Sequence, residues 1–337
     1  MNTYGERLKV TIFGESHGAG IGAVIDGLPA GEAVDLDAVM VQMRRRAPGS
    51  SELATARVET DEPVILSGLY RGVTTGSPLA AILQNRDARS KDYHPEIARP
   101  SHADYTAAVK FRGHMDLRGG GPFSGRLTAC MVFAGAVCRQ ILERRGVTVT
   151  ANAVRVGSAA GTELNDEMKR EILAARAAGD SVGSVLECVA QGIPAGVGGL
   201  MFGGMESRIA QILYAIPGVK GVEFGLGFGF AEKRGSEAND PFRLVDGRVV
   251  CASNNAGGIN GGITNGMPLV VRMAMRPTPS IALEQETVDL STMQETTLRV
   301  SGRHDPCLAA RAIPVMEAAV AIAVLDAMLD AAAADHV

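Results

Sequence analysis

The sequence predicts an α+β fold made of two related halves of one domain, about residues 1–150 and 151–337, and three observations support that prediction. The stretch FGESHGAGIGAVIDGLPAG, from Phe13 to Gly31, returns in weaker form as GDSVGSVLECVAQGIPAG, from Gly179 to Gly196. Without a gap, Ser16 meets Ser181, Gly18 meets Gly183, Val24 meets Val189, and GLPAG at Gly27 meets GIPAG at Gly192. The copies share backbone punctuation, glycine for unusual angles and proline for a fixed turn, so the repeat reads as scaffold. Strand-like and helix-like segments are interspersed without the regular βαβα order of a doubly wound sheet. Finally, the 41 glycines cluster at Gly119–Gly121, Gly225–Gly229 and Asn254–Gly266, which marks tight turns, bulges and backbone that can meet a ligand.

Leu8–Phe13 and Gly22–Asp26 are short apolar runs with strand patterning. Asp35 or Asp37 caps a helix that runs to Arg46, and Val64–Leu66 forms another short strand. Gly125–Glu143 is a long apolar stretch that predicts a helix buried on most sides. The second half continues with strand Ser184–Ala190, helix Glu206–Ile216, strands Gly221–Phe228 and Leu269–Ala274, and helix Ala312–Leu329, which is too apolar for a solvated surface.

A chain of 337 residues with 46% hydrophobic content can bury a large core. No segment reads as an apolar span of about 20 residues, and MNTYGERLKV lacks a signal-peptide core, so the expected location is the cytoplasm. A net charge of −4 argues against nucleic acid or an anionic membrane as partner. Five cysteines without a CxxC pair predict reduced, buried thiols and no metal site. Of 33 basic residues 27 are arginine, which suits bidentate capture of phosphate and carboxylate, although arginine-rich codon usage gives the same count. No phosphate loop is present, and GAGIG at Gly18 has the wrong spacing for a dinucleotide fingerprint.

Three places join histidine to nearby arginine: ESHG with Arg44, Arg45 and Arg46; RPSHADYT from Arg99; and GRHDPC from Gly302, which adds Asp305. Histidine titrates near neutral pH and arginine does not, so such a set can move protons while holding a polyanion. His17 aligns with Val182 in the second copy of the repeat, which separates it from the scaffold and points to chemistry. Taken singly, each cluster also reads as a solvated helix end, a turn histidine or a cap.

GESHG, RPSHADY, GGxFSGR, NNAGGINGGI, RPTPS and GRHDPC occur here in the order found in chorismate synthases, and from about Gly14 to Arg311 the chain resembles that family. The resemblance implies helices packed between two antiparallel sheets, a homotetramer, and a carbon–oxygen lyase acting on a phosphate. Its reaction converts 5-enolpyruvylshikimate 3-phosphate to chorismate and phosphate by anti-1,4-elimination, with reduced FMN and no net redox change. It further implies His17 as the acid serving reduced flavin, His102 as the proton donor near the departing phosphate, and Asp305 as acceptor of the C6 hydrogen through flavin N5. Ser16, Arg46, Arg99 and Arg303 fall at substrate positions, and Arg46 is also a position associated with NADP.

Flavin contacts are implied for Ser124, Arg126, Pro217, Gly218, Gly261, Arg276, Pro277, Thr278, Pro279, Ser280 and Arg303. Two departures stand out: where many members read RSSAR the chain has Pro122, Phe123, Ser124, Gly125 and Arg126, and a family arginine six residues after Arg46 is Glu52, with Arg57 nearest. That arginine is associated with anion or nicotinamide contact, so NADPH is expected only as an indirect reductant, through an external flavin reductase. The competing expectations are a non-catalytic flavin-binding paralogue of the same fold and an ordinary flavin oxidoreductase.

Overall fold

The computed structural model describes residues 2–47, 60–86, 96–300 and 304–334. Two five-stranded antiparallel sheets organise the chain. The first contains β1 (Thr3–Tyr4), β2 (Lys9–Gly14), β3 (Gly20–Asp26), β4 (Val64–Ser67) and β5 (Leu79–Gln84), in the order β1-β2-β3-β5-β4. The second contains β6 (Thr148–Val156), β7 (Ala159–Ala160), β8 (Ser184–Gln191), β9 (Val219–Phe224) and β10 (Leu269–Met275), in the order β9-β10-β8-β6-β7.

The repeated segments supply β3 and β8, the middle strand of each sheet. Each strand runs into its GxPAG turn, and each turn is held by a hairpin from later in the chain. Gly31 N–H donates to Thr74 O, and Gly196 N–H to Thr264 O, both at 2.9 Å. The Thr74 hydroxyl donates to Pro29 O at 2.6 Å and the Thr264 hydroxyl to Pro194 O at 2.7 Å. The two hairpins are themselves alike in sequence: Gly68, Gly72, Thr74, Gly76, Pro78 and Leu79 match Gly258, Gly262, Thr264, Gly266, Pro268 and Leu269.

Helices α1 (Leu36–Arg46), α3 (Thr128–Arg144), α5 (Met205–Tyr214) and α6 (Ala309–Ala334) form the layer between the sheets, while α2 (Asp104–Phe111) and α4 (Asp166–Ala177) lie outside its centre. Asp35 caps α1 by accepting from Asp37 N and Ala38 N, as its sequence suggests. α3 packs on the first sheet and α6 on the second, and the two helices pack against each other. Their approach depends on Gly135, where a Cβ would fall 2.3 Å from Ala318 Cα. Strand alternation supplies the rest: Leu79, Ala81 and Leu83 of β5, and Leu269, Val271 and Met273 of β10, are fully buried. Burying each of the larger side chains contributes roughly 1.5–3 kcal/mol.

Contrary to the sequence reading, the helical stretches Gly125–Arg144 and Ala309–Ala334 are long and apolar enough to cross a membrane. They are apolar all round because they form the central helix pair, 78% and 83% buried over their most apolar windows. The two acidic residues buried in α6 are both paired. Asp326 accepts from the N–H groups of Arg7 (2.8 Å) and Leu8 (2.9 Å) and from Arg208. Glu317 accepts from Arg45, Arg139 and Ala151 N–H, joining α1 and α3 to the second sheet. Pairing offsets the cost of taking these carboxylates out of water. The strand expected to reach Phe228 stops at Phe224, because Gly225 and Gly227 adopt φ of +55° and +56° and a short 3-10 turn follows.

Candidate active site

The polar chemistry gathers where the two sheets present matching ends. β5 and β10 finish there, at Gln84 and Met275, beside the turns that lead into β3 and β8. Asn85, just past β5, donates from Nδ2 to Glu15 O and Gly18 O, each at 2.9 Å, and so fixes the turn that carries His17. The glycine loop closes over this turn. Ser16 is buried and its N–H donates to Gly121 O at 3.2 Å. At Gly119, with φ +63°, an added Cβ would sit 2.4 Å from His17 Cδ2 and Nε2, so only glycine lets the backbone lie against the imidazole. The nearby Asp116 carboxyl is held below its usual range first by its hydrogen bond from Arg118, with a smaller contribution from His17.

A buried row of charged groups runs outward from Asn85. Arg126, on the short 3-10 turn capped by Ser124 Oγ, donates from Nε to Asn85 Oδ1 at 3.1 Å. Its Nη1 donates to Asp61 Oδ1, and Arg46 Nη1 at the end of α1 donates to Asp61 Oδ2 at 3.0 Å. Arg46 also donates from Nε to Thr128 Oγ1 and from Nη2 to Gly125 O. Arg311 donates from Nε to Arg46 O at 3.1 Å and from Nη1 to Asp305 Oδ2 at 2.5 Å. Burial, and then the neighbouring Arg311 charge, bring the Arg46 guanidinium down to about 9, with Asp61 opposing them. It therefore stays cationic at neutral pH. Burial likewise pushes the Cys130 thiol up to about 12, which makes it inert.

The RPSHADYT motif forms a second group. Arg99 grips Asp104 with Nε and Nη2, both at 2.8 Å, and its N–H donates to the same carboxylate. Burial alone would raise the Asp104 carboxyl, but the hydrogen bonds and charge of Arg99 outweigh it and hold the group low. Inside this loop His102 Nδ1 faces Pro100 O at 3.0 Å. A carbonyl can only accept, so Nδ1 carries the proton and Nε2 accepts from Ser280 Oγ at 2.9 Å. Burial, followed by the Arg99 charge, pushes His102 down to about 4, so the ring is neutral at pH 7.

Ser280 belongs to the RPTPS segment that follows β10. Arg276 Nη1 donates to Ser101 O at 2.6 Å, and Arg276 N–H donates to Gly218 O at 2.9 Å, which sets Pro217 and Gly218 beside it. Ser181 Oγ donates to Thr278 O, and Val182 N–H to Pro306 O, so the second copy of the repeated turn ties Pro277–Pro279 to the Asp305 loop. Arg276 Nε and Thr278 Oγ1 are buried without a hydrogen-bond partner among the described residues. A guanidinium N–H and a hydroxyl left unsatisfied two residues apart on one loop are groups that a phosphate-bearing cofactor can satisfy, so these residues fit FMN.

The sequence motifs therefore converge, though not uniformly. His17, Ser16, Arg46, Ser124, Arg126 and Asp305 lie along one chain of contacts, and His102, Arg99, Ser280 and Arg276 along another. Gly261 stands apart, on a hairpin turn whose neighbour Gly262 meets Gly199 and Gly204 at the start of α5. Pro217 and Gly218 follow the far end of that helix, about 15 Å away at 1.5 Å per residue. Arg303, Glu52 and Arg57 lie outside the described residues. Asp61, Asn85, Asp104 and Arg311 are functional neighbours that sequence reasoning passed over. Of these, Asp104 sat in the quoted motif, five residues from its arginine.

The family model for chorismate synthase matches residues 8–329. A chorismate synthase of Thermococcus kodakarensis is 49% identical, the alignment covering 96% of this chain and 97% of that protein. One of Methanothermobacter thermautotrophicus is 45% identical over 98% of this chain and 94% of its own length. A crystal structure of a chorismate synthase superposes with a TM-score of 0.76 at 30% identity, covering 97% of this chain and 93% of that one. With matches in family model, full-length relatives and fold all spanning the polar ends of both sheets, the chain belongs to the chorismate synthase family.

Proposed function

We propose that the chain converts 5-enolpyruvylshikimate 3-phosphate to chorismate and phosphate by anti-1,4-elimination of the phosphate and a C6 hydrogen. Family membership makes it a carbon–oxygen lyase of the shikimate pathway, acting on a small molecule. The observation that carries the reading at residue level is the buried row from Asp305 through Arg311, Arg46, Asp61, Arg126 and Asn85 to the His17 turn. A substrate with two carboxylates and a phosphate requires cations prearranged in a closed site, where they act at low dielectric.

Reduced FMN, when bound, supplies an electron transiently and recovers it. Arg276, Pro277, Thr278, Pro279 and Ser280, with Pro217, Gly218, Ser124 and Arg126, are the residues we assign to holding it. The contact between His102 and Ser280 favours His102 on the flavin side of the site and leaves His17, whose turn is joined to Arg126 through Asn85, for the phosphate side. This exchanges the roles that resemblance implied for the two histidines. Asp305 holds the carboxylate that accepts the C6 proton, oriented by Arg311. Arg99, held by Asp104, shapes the His102 loop and is the arginine we assign to the substrate there.

A homotetramer is part of the proposal, supported by apolar side chains that one protomer leaves uncovered, Phe202 at 91% exposure and Phe228 at 83% among them. An external flavin reductase supplies the reduced cofactor, with NADPH as its indirect source. The test is an anaerobic assay with chemically reduced FMN that follows phosphate release and chorismate absorbance together. Equal yields of both at catalytic FMN support the reading. No product supports a non-catalytic flavin-binding paralogue, and stoichiometric flavin oxidation supports an oxidoreductase.

A further inference from the structure

Asp61 lies in the buried row but has been given no role of its own, yet it is the most enclosed charged side chain among the described residues of that row. Its side chain has 0% exposure, and the two guanidinium groups that grip it are 4% and 3% exposed. The two arginines come from different parts of the fold, Arg46 from the end of α1 and Arg126 from the turn before α3, and each takes one oxygen of the carboxylate. Each also donates two further hydrogen bonds to the protein, Arg46 to Thr128 Oγ1 and Gly125 O, Arg126 to Asn85 Oδ1 and Gln84 O. A guanidinium has five N–H groups, so each retains donors for a ligand.

We infer that Asp61 is a positioning residue for the elimination: a shared counter-ion that locks Arg46 and Arg126 into one rigid cationic unit facing an anionic group of the substrate. This rests on the proposed function, which places both arginines in the site. Two guanidinium groups this close and this deeply buried repel each other, and without a common anion at least one must shed its charge or turn away. The backbone agrees with a built feature. Asp61 has φ +49°, a conformation that aspartate and asparagine tolerate better than other non-glycine residues. Asp61→Asn therefore keeps shape and backbone while removing the charge and turning one of the two acceptor oxygens into a donor that faces an arginine.

The experiment uses the full chain with 5-enolpyruvylshikimate 3-phosphate and chemically reduced FMN, and inorganic phosphate as the thermodynamic probe. Asp61→Asn is expected to raise KM roughly 10- to 100-fold, the loss of one charge-assisted contact, with a smaller change in kcat. It is also expected to melt lower, and to recover more of its Tm on adding inorganic phosphate than the wild type gains, because the phosphate then supplies the missing anion. A variant that melts lower with unchanged KM and no extra response to phosphate overturns the inference in favour of a purely structural role. Should Asp61→Asn fail to fold, the double variant Asp61→Asn, Arg126→Gln restores the charge balance; its folding supports the counter-ion role, and its failure as well overturns it. Absence of turnover in the wild type, seen before any variant is made, refutes the proposed function instead.

Discussion

His102 accepts a 2.9 Å hydrogen bond from Ser280, with its Nδ1 proton committed to Pro100 O. The ring thus rests neutral in the site, and it can donate from Nε2 only after gaining a proton. An anionic ligand beside it raises its proton affinity, so ligand binding and proton uptake are coupled.

The burial of this ring, with the Arg99 charge beside it, makes stability depend on pH. His102 falls from an ordinary 6.5 to about 4 in the folded chain, so between those values the unfolded chain binds more protons. Stability is therefore complete above about pH 6.5 and declines as pH falls to about 4, by about 3 kcal/mol from this group at 1.36 kcal/mol per pKa unit. Urea melts of wild type and His102→Gln across this range check it. The variant should lose that part of the pH slope, and an unchanged slope would rule out a neutral buried His102.

Gly119 and His17 give the second expectation. His17→Ala should cut turnover roughly 10²- to 10⁴-fold with the fold intact, the usual effect of losing a general acid. Gly119→Ala places a methyl where the imidazole lies and should reproduce most of that loss although it leaves His17 in the chain. The double variant should be little worse than either single, because both remove the same group from its position. Additive losses, or near-normal turnover in either single variant, would contradict the arrangement.

The third concerns the reductant. The family resemblance implies an arginine where this chain has Glu52, so NADPH and FMN alone should support little turnover, and dithionite or a flavin reductase should restore it. Robust NADPH-driven turnover by the purified chain in the dark would show the inference wrong.

The middle strand of each sheet and four helices were legible in the sequence, because repeated glycine and proline fix turns and long apolar runs have few homes outside a core. The second part of the repeat, Gly68–Leu79 against Gly258–Leu269, was not read, since its identities are few and scattered among glycines common elsewhere in the chain. Strand β6 alternates cleanly as TVTANAVRV and was missed beside the stronger helix before it. In the site, the motifs named the histidines and arginines but not their carboxylate partners. Asp61 in ETDEP looks like a surface residue until Arg46 and Arg126 are brought to it across the fold.

Asp305 tests the elimination most directly. It is 8% exposed and paired with Arg311, so Asp305→Asn removes a base and an ion pair at once. Loss of stability alone cannot then separate the two roles, and Arg311→Gln provides the control: it breaks the same pair while leaving the carboxylate basic. Both variants should be less stable than wild type, by about 3–5 kcal/mol at most for a buried pair that loses one partner, and should melt lower. If Asp305 is the base, Asp305→Asn should still bind FMN and substrate but lose most of its single-turnover rate, while Arg311→Gln retains far more of it. If Asp305 only anchors the turn before α6, the two variants should share one modest loss of rate that follows their stability. Measuring substrate affinity, Tm and single-turnover rate on both preparations decides between these, and a catalytically normal Asp305→Asn would remove the carboxylate from the mechanism.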